Sequence, residues 1–256
     1  MSFNVNNLSI SLDDGKPIVE DISFNIPKGK MLSIVGGSGA GKSTICRAIM
    51  GLLGKSYSVQ GEIIYNEKNL FQMSYKSLLD IYGKDICYIM QNPMTAFNPS
   101  IRIKKQILKS YFHHHSKTSR IDAMENINDR LARLGISDTE RVLNSYPFAL
   151  SGGMLQRLMI ATALINNPKI LIADEITTAI DACNRMELMS ELRSLTDTGL
   201  SILFVTHDLN AAAKADSILI MNKGKLVEFG ETSEIFSNPK HEYTQYLLNA
   251  CRLERG

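Results

Sequence analysis

The chain has 256 residues, 44% hydrophobic and 21% charged, with a net charge of +2. That supplies one large α/β core with at most one inserted subdomain, and a charge balance that gives no reason to invoke nucleic acid or an anionic membrane face. Cys46, Cys87, Cys183 and Cys251 are scattered without C-x-x-C spacing, which excludes a disulfide framework or iron–sulfur site and points to reduced, cytosolic thiols.

Residues 3–26 alternate apolar and polar, with Leu8, Ile10 and Leu12 before the turn Asp13-Asp14-Gly15 and Ile22, Phe24 and Ile26 after it. This predicts an antiparallel edge sheet. The short apolar runs Met31–Val35, Ile86–Met90, Ile170–Ala173 and Ser201–Val205 predict a mostly parallel sheet covered on both faces. Between residues 93 and 158 strand signals vanish. Ile121, Met124, Ile127, Leu131 and Leu134 fall three or four apart, predicting a helix that Gly135 ends. Ser217–Met221 and Lys225–Phe229 flank Asn222-Lys223-Gly224 as a late hairpin. The opening Met1-Ser2-Phe3-Asn4 lacks the regions of a signal peptide, and no apolar run approaches the roughly 18–20 residues that span a bilayer.

Chemistry concentrates at three places. Met31–Val35 runs into Gly36-Gly37-Ser38-Gly39-Ala40-Gly41-Lys42-Ser43-Thr44, where four residues separate Gly36 from Gly41 before Lys and Ser. Glycines there let backbone N–H groups wrap phosphates at a helix N-terminus, Lys42 can reach the β- and γ-phosphates, and the Ser43 hydroxyl can bind Mg²⁺. Asp174 and Glu175 follow Ile170–Ala173. An aspartate at that strand end can hold the Mg²⁺ shell beside Ser43, while its neighbour can polarise an attacking water. The bland alternative is two acids capping the next helix. Leu150-Ser151-Gly152-Gly153-Met154-Leu155-Gln156-Arg157 opens a helix whose small N-terminal residues make an anion site, with Ser151 as its N-cap.

In this order and spacing the three motifs resemble the ATP-binding cassette (ABC) ATPases, over nearly the whole chain. The resemblance implies an α/β fold. A P-loop NTPase core (1–91 and 159–230) with a mostly parallel sheet would carry an N-terminal antiparallel β subdomain, an inserted helical subdomain (92–158) and a C-terminal helical tail (231–256), all in one ABC ATPase domain, 1–256. ATP and Mg²⁺ are the implied cofactors. Glu175 becomes the catalytic base, and His207, after Ser201–Thr206, the switch histidine on the γ-phosphate. Gln91 becomes the Q-loop glutamine linking Mg²⁺ and water to the helical subdomain. The resemblance further implies that Ser151, Gly152 and Gly153 close over ATP held by a second ABC ATPase subunit, with Asp181 in the D-loop crossing that interface.

Gln91-Asn92-Pro93-Met94-Thr95-Ala96-Phe97-Asn98-Pro99 and Asn238-Pro239-Lys240-His241-Glu242-Tyr243-Thr244 are similar to segments of the nickel and dipeptide/oligopeptide importers. The signature with Met154-Leu155 is most similar to the nickel importers' first ATPase subunit, and peptide-importing relatives carry a longer, cysteine-bearing tail. The expectation is therefore an ATPase subunit for uptake of nickel or a chelated metal, peptides being the alternative. Its expected place is peripheral, on the cytoplasmic face of the membrane. There it would work with two permease subunits and, indirectly, an extracytoplasmic solute-binding protein, in a heterodimer rather than a homodimer. A soluble ABC ATPase acting on nucleic acid or ribosomes is the reading of another class. Single-cassette length and a short helical insert argue against it.

Two positions depart from the family pattern. Ile176 stands where proline usually follows the Walker B glutamate, which predicts a looser turn with activity retained. Leu12 replaces an aromatic that stacks on adenine, so either weaker ATP affinity or another nearby aromatic is expected. His113-His114-His115 lie on successive helical positions, about 100° apart, and read as a solvated face rather than a metal site.

Overall fold

The computed structural model describes residues 2–177 and 182–253. Its strands and helices run, in chain order, β1 (Phe3–Leu12), β2 (Pro17–Ile26), β3 (Met31–Gly36), α1 (Lys42–Ile49), β4 (Tyr57–Tyr65), β5 (Lys68–Asn69), α2 (Tyr75–Leu79) and β6 (Ile86–Ile89). Five helices follow without a strand: α3 (Pro93–Ala96), α4 (Ile103–His114), α5 (Arg120–Arg133), α6 (Thr139–Asn144) and α7 (Gly152–Leu164). The chain then continues through β7 (Ile170–Asp174), α8 (Ala182–Asp197), β8 (Ser201–Thr206), α9 (Leu209–Ala212), β9 (Ser217–Asn222), β10 (Lys225–Glu231), α10 (Thr232–Ser237) and α11 (Glu242–Leu253).

One ten-stranded sheet has the order β5-β4-β1-β2-β10-β9-β3-β8-β7-β6. Strands β9, β3, β8, β7 and β6 are mutually parallel, whereas β1, β2, β4 and β5 pair antiparallel. β7 and β8 are buried along their whole length, as strands covered on both faces must be. One core cluster packs the helices between β6 and β7, with α8, against one face of the sheet. A second places Ile45 and Ile49 of α1 on the other face, against the N-terminal strands.

Two details of the hydrophobic pattern are resolved by the backbone. Along β1 the buried positions change parity, from Phe3 and Val5 to Leu8 and Ile10. A bulge between Val5 and Leu8 absorbs the extra residue, with Asn7 at φ 49° bonded through its side chain to Asp21, itself at φ 50°. On α5 the buried stripe is Ala123, Ile127 and Leu131, whereas Ile121 is 73% exposed. The true stripe follows i+4 spacing, which rotates Ile121 away from the core.

Asp216, at the head of β9, ties α8 to β3. It accepts hydrogen bonds from both guanidinium nitrogens of Arg193, from the Met31 N–H (2.9 Å) and from Lys30 Nζ (3.1 Å). Burial alone would push this carboxyl up, but those donors outweigh it and hold Asp216 well below the usual carboxylate range. A depressed carboxyl contributes stability above its unfolded value that is lost as pH falls toward its folded one. Asp216→Asn is therefore expected to cost about 2 kcal/mol at neutral pH. The deficit should shrink in strong acid, read from urea midpoints across pH.

Candidate nucleotide site

The loop between β3 and α1 is shaped by its glycines. A Cβ on Gly36 would lie 2.4 Å from the Met221 carbonyl oxygen, and Gly41 sits at φ 95° against Val19 and Ile18. Only glycine fits both places. The loop delivers Lys42, buried at 5% exposure, so that its ammonium donates to the carbonyls of Gly36 (2.8 Å) and Gly37 (3.1 Å). Gly37, Ser38 and Gly39 are exposed along the loop's outer side, whereas Ala40 is buried, and Ser43 and Thr44 are half-buried at the start of α1.

Strands β7, β8 and β6 end beside this loop and bring the acidic pair to it. Ser43 Oγ donates to Asp174 Oδ1 (2.9 Å), and the Tyr88 hydroxyl donates to Asp174 Oδ2 (2.9 Å). Burial pushes the Asp174 carboxyl up, with the Ser43 and Tyr88 hydrogen bonds pulling the other way. Burial also raises the Tyr88 phenol, with Asp174 adding to the shift. Tyr88 was not legible as a site residue. Its place on β6, in register with Ile172 of the neighbouring strand, is what brings it to Asp174.

Glu175 lies at φ 49°, a left-handed conformation that costs a non-glycine residue about 1–3 kcal/mol. Its N–H bonds the Val205 carbonyl (2.8 Å), and Ile176 is fully buried behind it. The turn that lacks the proline therefore carries a fully buried isoleucine. From this turn Glu175 Oε2 accepts from Gln91 Nε2 (2.7 Å), while Oε1 lies 3.6 Å from Lys42 Nζ and 3.6 Å from His207 Nδ1. Lys42, Glu175, Gln91 and His207 therefore meet at one point. Asp208, following His207, caps α9 and accepts from Arg185 (2.6 Å).

A serine hydroxyl and a carboxylate oxygen 2.9 Å apart form an all-oxygen donor pair suited to a hard divalent cation. Next to it lies a glycine-rich loop, exposed at Gly37, Ser38 and Gly39, at a helix N-terminus, with the buried Lys42 ammonium behind it, which suits a polyphosphate. The residues present fit both Mg²⁺ and a nucleoside triphosphate. A model of the ABC transporter family matches residues 19–178, most of the chain and both of these motifs.

The chain belongs to the ABC transporter family.

It is 40% identical over 91% of its length to the "Dipeptide transport ATP-binding protein DppD" of Lactococcus lactis, covering 67% of that protein. It is 37% identical over 91% of its length to the "Metal-staphylopine import system ATP-binding protein CntD" of Staphylococcus aureus, covering 87% of it. To the "Oligopeptide transport ATP-binding protein OppD" of Bacillus subtilis it is 42% identical over 90% of its length, covering 65%. Among solved structures it superposes on the "Dimeric Structure of MJ0796, a Bacterial ABC Transporter Cassette" with a TM-score of 0.81 and 25% identity, over 90% of this chain and 98% of the other. A post-hydrolysis state of that cassette, bound to ADP and Pi, gives 0.80 with the same identity and coverage. The protein is an ABC ATPase.

The remaining expected residues lie elsewhere in this ABC ATPase. Ser151 caps α7, its Oγ accepting from the Met154 N–H (3.3 Å). Among the described residues no hydrogen bond or ion pair joins Ser151, Gly152 or Gly153 to the Lys42 loop. A Cβ built on Gly152 or Gly153 would meet nothing within 4 Å, so the chain's own packing does not require glycine at either position. Arg157 bonds the Leu134 carbonyl (3.0 Å) at the end of α5 and Glu187 of α8 (3.3 Å), tying signature helix to core. Asp181 lies outside the described residues. Leu12 is half-buried at the end of β1, directly opposite half-buried Tyr57 on β4, which places an aromatic beside it on the same face.

One further contact reaches the loop from the C-terminal tail. The Tyr243 hydroxyl accepts from the Gly37 N–H (3.3 Å). The start of that tail helix is pinned by Glu228, whose carboxylate accepts from the N–H groups of Lys240 (2.8 Å) and His241 (3.1 Å). In the histidine run, His115 bonds Asn166 (3.1 Å) and stacks on Tyr111.

Proposed function

We propose that this ABC ATPase is the hydrolytic subunit of an importer for nickel or a chelated metal. The observation that carries the ATP-driven part of this reading is the convergence of Lys42, Gln91 and His207 on Glu175, beside the Ser43–Asp174 pair. In it Ser43 and Asp174 would hold Mg²⁺, with Gln91 as a third contact. Mg²⁺ would neutralise phosphate charge there. Lys42 grips the phosphates, together with the N–H groups of residues 36–44. Glu175 takes the proton of the attacking water. Gln91 and His207 orient the Glu175 carboxylate and report on the phosphate. Leu12 and Tyr57 offer the adenine an apolar and an aromatic surface.

The metal cargo is supported by the likeness to CntD, the relative whose length this chain covers most fully of the three described. Higher identity to DppD and OppD (40% and 42%, against 37% to CntD) supports a second reading, uptake of di- or oligopeptides. Uptake of labelled metal chelates and labelled peptides, measured side by side in a deletion strain, separates the two readings. Loss of neither would sink the importer assignment.

In this reading the chain is peripheral, on the cytoplasmic face of the membrane, and pairs head-to-tail with a second, different ATPase subunit. The partnership extends to two permease subunits and, at a distance, a solute-binding protein. The dimeric cassette of similar fold supports the pairing. Residues 92–158 act as the helical arm, 1–91 and 159–230 as the nucleotide core, and 231–256 as a tail braced on it.

The permease seat in this reading is the groove beside Gln91–Pro99. Two clefts, of about 370 and 630 Å³, meet there at Ala96, Phe97, Ser110 and Thr162. Met94 is 56% exposed on α3, the short helix that ends at Ala96, whereas Phe97 is 7% exposed and belongs to the core. A charge at Phe97 would therefore unfold the helical layer rather than test docking. Met94→Asp is expected to cut uptake at least tenfold while leaving ATP binding unchanged, as measured by transport and nucleotide titration.

A further inference from the structure

The near-neutral total charge hides a strong local imbalance. From Ile86 to Ile121 the chain carries six Lys or Arg residues and no Asp or Glu. Five of them, Arg102, Lys104, Lys105, Lys109 and Arg120, line one cleft of about 580 Å³ on α4 and the start of α5, over a floor of Leu108 and Phe112. No acidic side chain lines it. None of the five is in an ion pair among the described residues, although Lys30, Arg141, Arg185, Arg193, Lys225 and Lys240 each have a carboxylate partner elsewhere. Cations gathered without counter-charges repel one another, and an anionic surface relieves that repulsion.

A second feature adjoins the cleft. Phe148 is 70% exposed and stacks on Tyr146 with ring centroids 5.5 Å apart, and Arg102, on the cleft wall, lies 5.5 Å from the Tyr146 centroid. Ile121, next in sequence to Arg120, is the 73% exposed residue left off the α5 stripe. Cations fringed by exposed aromatic and aliphatic side chains suit the boundary between lipid headgroups and acyl chains. A soluble phosphate would instead need donors converging on one point, and here Lys104, Lys105 and Lys109 are strung along a helix.

We propose that this face docks on an anionic phospholipid surface, with lipid phosphates on the five cations and Ile121 and Phe148 in the interfacial layer. The inference takes only the membrane address from the proposed function. A failed lipid assay would leave the Met94 groove and the importer reading intact.

The test is co-sedimentation of the full chain with vesicles of phosphatidylglycerol in phosphatidylcholine, against vesicles of phosphatidylcholine alone. The wild type should bind only the anionic vesicles and release them at high salt. A Lys104→Glu, Lys105→Glu, Arg120→Glu variant places acids in the first turns of two helices, where they are favourable, so its fold and ATP binding should persist. Its partitioning should fall about a hundredfold. Ile121→Ser with Phe148→Ser should weaken binding about tenfold with the same salt dependence. The proposal is overturned if the wild type ignores anionic vesicles, or if the triple variant partitions like the wild type. Release of the vesicles by inorganic phosphate would assign the cleft to a soluble anion, and tighter binding to poly-glutamate would assign it to an acidic protein.

Discussion

Lys42→Ala is expected to abolish ATP binding, whereas Glu175→Gln should bind ATP normally and turn over about 10²- to 10⁴-fold more slowly. The two side chains lie 3.6 Å apart, yet their removal acts on different steps. Lys42 is the buried cation behind the glycine-rich loop, so its loss removes the charge that a triphosphate needs. Glu175→Gln keeps size and hydrogen bonding but cannot take a proton at its new amide nitrogen. Fluorescent-nucleotide titration and phosphate release, on the same preparations, separate binding from hydrolysis. Parental hydrolysis by the Glu175→Gln protein would remove Glu175 as the base.

Much of this site was legible because its parts are local in sequence. A glycine-spaced loop between a buried run and a helix, and an acidic pair after another buried run, each carry their chemistry within ten residues. Contacts joining distant strands were less visible. Tyr88 and Asp174 meet only because β6 lies beside β7, and Tyr243 reaches Gly37 from 206 positions away. A lone tyrosine in an apolar strand carries no signal of its own. The burial of Ile176 was hidden for a related reason. The missing proline was visible, whereas the contacts that bury Ile176 depend on the whole core. Ile121 was misplaced because periodicity alone cannot tell an i+3 stripe from an i+4 stripe over two turns.

Mixing mutant chains should show that Ser151 and Gly153 act on nucleotide held by the opposite subunit. If so, a Lys42→Ala chain should still support hydrolysis at an intact partner's site, and adding Ser151→Arg should lower that support at least a hundredfold. The physical ground is the asymmetry of the cassette. Lys42 and its loop would grip one side of the phosphates, and no hydrogen bond or ion pair among the described residues brings the α7 N-terminus to that loop. The open space around Gly152 and Gly153 leaves room for a ligand approaching from outside the chain. Two-fold pairing lets each subunit supply what the other lacks. Equal support from the single and double mutants, measured as phosphate release at fixed partner concentration, would refute action in trans.

The Lys42 ammonium is satisfied by the chain's own groups, held by two loop carbonyls and faced by Glu175. Phosphate binding at Lys42 would therefore be an exchange of partners, and an affinity measured there would be a difference between two sets of contacts. In the proposed mechanism the same exchange would draw Lys42 away from Glu175, coupling the carboxylate's release for proton transfer to nucleotide docking.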